Sequence, residues 1–285
     1  MAILEIRTIA ILGAGTMGSG IAQLAARAGY DTRIFDVDAA SLERGLKRLH
    51  EGLERAVQKG KLAAAELEPA KARVRGDTKI EEALTGADLV IEAAPEDLQL
   101  KKRLFAQMSE LASPDAILAS NTSSLPISEI AASATHPERV IGLHFFNPPP
   151  VMPLLEIVVG ERTASSVVTA ARACGARLGK EVVVVRDSPG FATSRLGVAI
   201  ALEAMRMLEE GVATAEEIDR AMELGYGYPM GPLKLTDHVG LDVRLSIAEH
   251  LLAELGERFR PPQVLRRLVR AGKLGKKSGE GFYKY

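Results

Sequence analysis

The chain has 285 residues, 47% hydrophobic and 26% charged, which excludes a disordered or collagen-like protein. Its 36 basic and 37 acidic residues leave a net charge of −1, so no global field draws it to nucleic acid. The single cysteine, Cys174, excludes an intrachain disulfide, and no apolar run reaches the roughly 20 residues needed to cross a bilayer. These features point to a cytoplasmic protein without membrane or nucleic-acid partners, long enough for one large domain or two smaller ones.

Residues 1–12 are apolar but interrupted by Glu5 and Arg7, with no small-residue cleavage pattern after them. They read as the first buried strand rather than a signal peptide. TIAIL at 8–12 has the continuous apolar character of a strand covered on both faces. A glycine-rich turn follows, then helical spacing over 17–28 stopped by Gly29, then a second strand over 31–35. A long charged helix is predicted over 39–61, and further strands at 89–92, 117–120, 140–144, 155–159 and 182–185. Helical segments between many of these strands predict an α/β fold, a Rossmann-like doubly wound and mostly parallel sheet. Beyond 186 the strands stop. Helical patterns at 191–210, 214–224, 241–255 and 262–271 predict an all-α C-terminal domain, dividing the chain into 1–186 and 187–285. Ser188 and Pro189 are read as N-cap and first turn of the first of these helices.

Gly13-Ala14-Gly15-Thr16-Met17-Gly18 fits GxGxxG. Glycine-rich turns are common, but here the pattern lies between a strand and a helix, where each glycine has a task. The first permits a tight turn, the second lets a pyrophosphate approach the backbone, and the third lets the helix pack on the strand. Amides at the helix N-terminus then face the phosphates. Asp36 ends the second strand about 20 residues further on, where a carboxylate accepts ribose hydroxyls and repels a 2′-phosphate. The cofactor expected is NAD rather than NADP. Arg33 lies nearby but its place in the strand alternation directs it to solvent.

The segment VIGLHFFNPPPVMPLLEIVV, 140–159, ends one apolar strand with His144 and places Glu156 in the next. Alone, His144 reads equally as a hydrogen-bonded core residue, and Glu156 as an edge acid reaching solvent. In a chain with a dinucleotide fingerprint, the two read as a general base and the carboxylate that fixes its tautomer. None of the five histidines has metal-ligand spacing with another histidine or the cysteine, which disfavours a zinc alcohol dehydrogenase. No YxxxK follows the central strands, which disfavours a short-chain dehydrogenase. SNTSS at 120–124 offers amide and hydroxyl donors beside a nicotinamide and a substrate carbonyl, or simply a helix cap.

Together with EAAPE at 92–96, SNTSSL at 120–125, GLHFFNP at 142–148, DSPGFATSR at 187–195, GYPMGP at 227–232 and GKKSGEGFY at 275–283, these residues have a precedent. Over essentially its whole length the chain resembles the bacterial short form of the 3-hydroxyacyl-CoA dehydrogenase family, the 3-hydroxybutyryl-CoA dehydrogenases. The resemblance implies oxidation of (S)-3-hydroxyacyl-CoA to 3-oxoacyl-CoA by NAD, in fatty-acid or butanoate metabolism, with acyl-CoA entering between the two domains. It implies that His144 is the base, Glu156 its orienting acid, and Ser123 the holder of the substrate oxygen. Gly13, Gly15, Thr16, Met17, Gly18 and Asp36 match dinucleotide contacts. Glu96, Lys101 and Asn121 match positions near the nicotinamide and its ribose, with Asn121 also close to substrate. Lys277 matches a C-terminal lysine near the cofactor. Lys59 lies in the region that meets the CoA nucleotide, although a solvated lysine explains it equally.

The chain departs from the family at Ser194, where relatives commonly carry an asparagine that contacts substrate. A serine has shorter reach and lacks the second amide group, so it acts through water or not at all. The family also implies a homodimer formed through the helical domain. Leu196, Val198, Ile200, Leu202, Met205 and Met207 supply apolar surface for it, or for the core of a monomer. Two rival functions stand beside this one: a dehydrogenase of a free hydroxy acid or sugar acid on the same fold, and a non-catalytic NAD-binding protein. The second has no need of His144 and Glu156.

Overall fold

The computed structural model describes residues 5–285; the part of the expected first strand at residues 1–4 lies outside them. The first unit, residues 1–187, alternates strands and helices. In chain order these are β1 (Thr8–Leu12), α1 (Thr16–Arg27), β2 (Asp31–Phe35), α2 (Ala39–Gln58), α3 (Leu67–Ala72), β3 (Val74–Asp77) and α4 (Ile80–Leu84). There follow β4 (Leu89–Glu92), α5 (Leu98–Leu111), β5 (Ile117–Ser120), α6 (Ile127–Ala131), β6 (Val140–Phe145), β7 (Leu154–Val159), α7 (Ser165–Arg177) and β8 (Glu181–Arg186).

The eight strands form one sheet in the order β3-β2-β1-β4-β5-β6-β7-β8. All neighbours are parallel except β6 and β7, which run antiparallel. Ile9, Ala10 and Ile11 of β1 are fully buried, as expected of a strand with helices over both faces. Burying each such branched side chain contributes about 1.5–3 kcal/mol. The order reverses at β1, between β2 and β4, and in doubly wound sheets the crevice at the carboxyl ends of those strands takes the ligand.

The second unit, residues 188–285, consists of α8 (Thr193–Glu209), α9 (Ala215–Tyr226), α10 (Pro232–Val239), α11 (Leu241–Leu255) and α12 (Gln263–Arg270), with short turns between them. Thr214 and Glu217 form a reciprocal capping box that opens α9. Val198, Leu202 and Met205 are buried in this unit's own core with Leu233, Leu241 and Leu251, and Met207 packs against it, so most of the apolar face expected to meet a partner is spent within the unit. The motif GKKSGEGFY has a structural task here. Asp237, nearly fully buried, accepts the Phe282 and Tyr283 amides at 2.9 and 2.8 Å and the Tyr285 hydroxyl at 3.2 Å. Asp219 caps the start of α10 through the Leu233 and Lys234 amides, both at 2.8 Å, and accepts the Tyr283 hydroxyl at 2.7 Å.

The units divide between Asp187 and Ser188, one residue beyond the expected boundary. Asp187 is held in the first unit because its carboxylate caps α6, accepting the Ile127 and Ser128 amides at 3.1 and 2.7 Å. Ser188 and Pro189 do not open α8. Gly190 and Phe191 take positive φ values of 72° and 51°, which breaks helical geometry and delays the helix to Thr193.

Candidate active site

The glycine loop follows β1 directly. Gly13 has φ 107°, and a Cβ there would stand 2.7 Å from the Ala93 carbonyl oxygen. A Cβ on Gly18 would stand 1.8 Å from the Gly13 carbonyl oxygen, so the helix and loop approach each other only through glycine. Gly15 differs: nothing lies within 4 Å of where its side chain would be. It is the N-cap of α1 and has no side chain to occupy the amides of the first turn, which Thr16 and Met17 begin. That leaves an open cradle at the positive end of a helix, suited to a pyrophosphate.

Asp36 borders the cradle. Its Oδ2 accepts the Ala14 amide at 2.9 Å and its Oδ1 the Asp38 amide at 3.1 Å, which fixes the carboxylate while leaving lone pairs for ribose hydroxyls. Arg33 is not simply solvated. Its guanidinium is occupied by the backbone carbonyls of Glu82, at 3.0 Å, and Thr85, so it anchors β2 to α4 rather than neutralising a 2′-phosphate. Glycine cradle and fixed acid together suit an unphosphorylated dinucleotide.

Glu92 ends β4 in register with Leu12 of β1 and Ser120 of β5. It is fully buried and accepts three hydrogen bonds, from the Ala94 amide, Lys101 Nζ and Ser120 Oγ, each at 2.7 Å. Lys101 is itself only 1% exposed, so its ammonium serves this buried pair, with Glu96 Oε2 a further 3.4 Å contact. Glu96 Oε1 accepts Thr122 Oγ1 at 2.6 Å, the Ser123 amide at 2.9 Å and Ser123 Oγ at 3.2 Å. Asn121 sits between these groups and β6: its amide donates to the Glu92 carbonyl at 2.8 Å, and its Oδ1 accepts the Phe145 amide at 2.9 Å. The SNTSS cluster marked Asn121 and Ser123, and the family resemblance added Glu96 and Lys101, but neither marked Glu92. The available signal was a polar residue closing an apolar strand, the same signal that exposed His144.

His144 and Glu156 are opposite each other on β6 and β7, so both side chains lie on one face of the sheet. Nδ1 and Oε2 are 2.8 Å apart, with His144 buried and Glu156 fully so. Nδ1–H donating to the carboxylate puts the acceptor lone pair on Nε2. Phe146 packs against the imidazole at 4.3 Å between centroids. The proline-rich turn between the strands is tied down by Lys180, whose buried Nζ donates to the Pro149 and Met152 carbonyls at 2.5 and 2.6 Å. Burial, with Arg27 and Lys61 nearby, pushes the Lys180 ammonium down to about 8.

Lys59 closes α2 and lines a groove of about 320 Å³ that also presents Arg27, Arg48, Arg55 and Lys61, with no carboxylate among its lining residues. Ser194 and Lys277 belong to the helical unit. Ser194 lies in the first turn of α8, and Lys277 is ion-paired with Asp242 at 2.6 Å. Among the described residues no group of His, Cys, Asp and Glu is arranged to hold a metal ion, and no helix is long and apolar enough to cross a membrane.

Comparison with known proteins agrees with this architecture. Residues 8–188 match the family model for the 3-hydroxyacyl-CoA dehydrogenase NAD binding domain, and residues 190–285 match that for the C-terminal domain. A Bacillus subtilis strain 168 protein named "Probable 3-hydroxybutyryl-CoA dehydrogenase" is 47% identical, over 99% of this chain and 98% of its own. Among solved structures, Mycobacterium tuberculosis FadB2 superposes with a TM-score of 0.94 at 44% identity, covering 98% of this chain and 99% of that one. The (S)-3-hydroxybutyryl-CoA dehydrogenase PaaH1 of Ralstonia eutropha gives the same TM-score at 41% identity, covering 99% of each chain. With both domain models matched in order and relatives alike from end to end, the chain belongs to the 3-hydroxyacyl-CoA dehydrogenase family.

Proposed function

We infer that the chain interconverts (S)-3-hydroxyacyl-CoA and 3-oxoacyl-CoA with NAD and NADH, a short acyl group such as 3-hydroxybutyryl being its substrate. The observation that carries this is the buried 2.8 Å contact between His144 and Glu156 on the sheet that bears the glycine cradle. The loop of Gly13, Gly15, Thr16, Met17 and Gly18 holds the pyrophosphate, and Asp36 the adenosine ribose. Bound NAD supplies the hydride acceptor. His144 Nε2 takes the proton of the C3 hydroxyl as the hydrogen on C3 leaves as hydride and the C=O bond forms, and Glu156 stabilises the imidazolium. Ser123 holds the substrate oxygen by turning its hydroxyl proton to it from Glu96, which keeps the Ser123 amide, while Asn121 and Lys101 order the nicotinamide half of the site. General-base assistance of this kind contributes about 10²–10⁴ in rate, and alignment of the reacting atoms supplies much of the rest.

The groove at Lys59 receives the CoA phosphates, its five cations making it suited to a multiply charged anion. Within the helical unit, Ser194 is read as a substrate contact and Lys277 as a cofactor contact. The protein works in the cytoplasm as a homodimer through that unit, whose Leu196, Leu224 and Tyr226 are 63%, 73% and 78% exposed.

The test is NADH consumption with acetoacetyl-CoA beside free acetoacetate. Turnover of the thioester alone is expected. Turnover of the free acid alone would select the hydroxy-acid reading, and bound NADH without turnover of either would select a binding protein.

A further inference from the structure

We propose that Glu92 is a positioning residue for this reaction: through Lys101 it sets Glu96, and through Glu96 it sets the Ser123 hydroxyl. The proposal rests on the reading of the site above. A fully buried carboxylate is expensive unless paired and hydrogen-bonded, and Glu92 is both. Its place matters as much as its burial. It closes β4 beside Leu12, at the crevice where the strand order reverses and the glycine loop begins.

The group contains two carboxylates and one ammonium. Lys101 Nζ is close to Glu92 at 2.7 Å and further from Glu96 at 3.4 Å. Glu92 therefore holds the ammonium back, and Lys101 draws on Oε2 of Glu96 without capturing it. Oε1 is left to face Thr122 and Ser123, where it accepts three hydrogen bonds. Remove the charge of Glu92 and Lys101 has one carboxylate partner left. It closes on Glu96 and turns Oε1 away; with Lys101 removed as well, Oε2 loses the cation that draws on it, so Oε1 is unset and the Ser123 hydroxyl loses its setting in either case. A displacement of about 1 Å in a group that orients reacting atoms can cost about 10² in rate.

The main-chain route from Glu92 is separate. Its carbonyl accepts the Asn121 amide, and Asn121 Oδ1 in turn accepts the Phe145 amide, next to the base. A side-chain substitution leaves that route in place, so Glu92→Gln isolates the charge.

The experiment compares Glu92→Gln, Lys101→Met and the double variant with wild type. It measures kcat and KM with acetoacetyl-CoA, NADH affinity by fluorescence, and melting temperature. Each single change takes a buried charge from its 2.7 Å partner and lowers the melting temperature, whereas the double removes both charges and recovers most of that loss. The expected result is a kcat roughly ten- to a hundred-fold down in all three variants, with NADH affinity held within about three-fold in Glu92→Gln. Should kcat recover together with melting temperature in the double variant, Glu92 is structural and the proposal fails. Unchanged kcat in the single variants overturns it equally. A wild type inactive on the thioester overturns the substrate reading and this proposal together, while an active wild type with either of those variant results overturns this proposal alone.

Discussion

His144 and Glu156 are cross-strand partners of the β6–β7 ladder, and their side chains meet at 2.8 Å between Nδ1 and Oε2. The backbone register creates this contact, since directly opposed residues share a face while a one-residue slip turns every side chain over. The antiparallel step in an otherwise parallel sheet thus places acid and imidazole side by side. Lys180 keeps the intervening turn closed.

In the proposed mechanism the two residues act as a unit, so their losses should not add. Glu156→Gln lowers kcat and shifts its pH profile, with NAD affinity held. Adding Glu156→Gln to His144→Gln should then cost less than about three-fold more, because the base that Glu156 serves is already gone. Steady-state kinetics on the two single variants and the double check this. Fully multiplicative losses would mean that Glu156 works independently of His144.

In the glycine loop the proposed pyrophosphate contact falls on Gly15, whereas packing alone requires Gly18. Gly18→Ala puts a Cβ 1.8 Å from the Gly13 carbonyl oxygen and should destabilise the fold outright. Gly15→Ala meets no protein atom within 4 Å, so its melting temperature should stay within about 2 °C of wild type while NADH affinity falls at least about ten-fold. Thermal unfolding and fluorescence titration of the two variants distinguish the roles. A Gly15→Ala protein that binds NADH normally would remove the pyrophosphate from this cradle.

Lys180 makes stability depend on pH. Its folded value is depressed to about 8 by burial, with Arg27 and Lys61 adding to the effect, whereas an unfolded lysine titrates near about 10.4. Between those values the unfolded chain binds a proton that the folded chain does not, so stability rises with pH there. Below about 8 the cost of the buried charge is fully present. The neutral amine still donates to both turn carbonyls. Melting curves of wild type and Lys180→Met between pH 7 and 10 should show the wild type gaining relative to the variant as pH rises. A difference independent of pH would contradict this.

Asp237 latches the C-terminal segment to the helical unit. Its folded carboxyl is held above the usual range by burial, despite the amides of Phe282 and Tyr283 and the Tyr285 hydroxyl that favour its ionised form. Asp237→Ala removes those acceptors and should cost about 2–4 kcal/mol. Denaturant unfolding gives the energy, and hydrogen exchange at Phe282 and Tyr283 should accelerate. Unchanged exchange there would mean the segment is held by its ring packing instead.

Much of the fold is legible in local patterns, because strands covered on both faces carry unbroken apolar runs. TIAIL and LVIE coincide with β1 and β4 for that reason. β3 escaped notice because VRGD has one large apolar residue and joins the sheet through its backbone to β2. α10 escaped because PLKLTDHV is short and bounded by glycines at both ends. Within the site, His144 and Glu156 are visible as polar residues in apolar runs. Lys101 looks like any lysine of an amphipathic helix, and its burial against Glu92 is a contact between separate elements that no local pattern carries. The tie from Lys180 to the proline-rich turn is hidden in the same way.

The central claim is that His144 performs the proton transfer in a dehydrogenase of CoA thioesters. Its most direct test follows NADH consumption with acetoacetyl-CoA for wild type and His144→Gln, alongside NADH titration of both. Rapid turnover by the wild type, a loss of about 10²–10⁴ in the variant and unchanged NADH affinity are expected. Turnover by His144→Gln within about three-fold of wild type, with NADH bound equally by both, would contradict it.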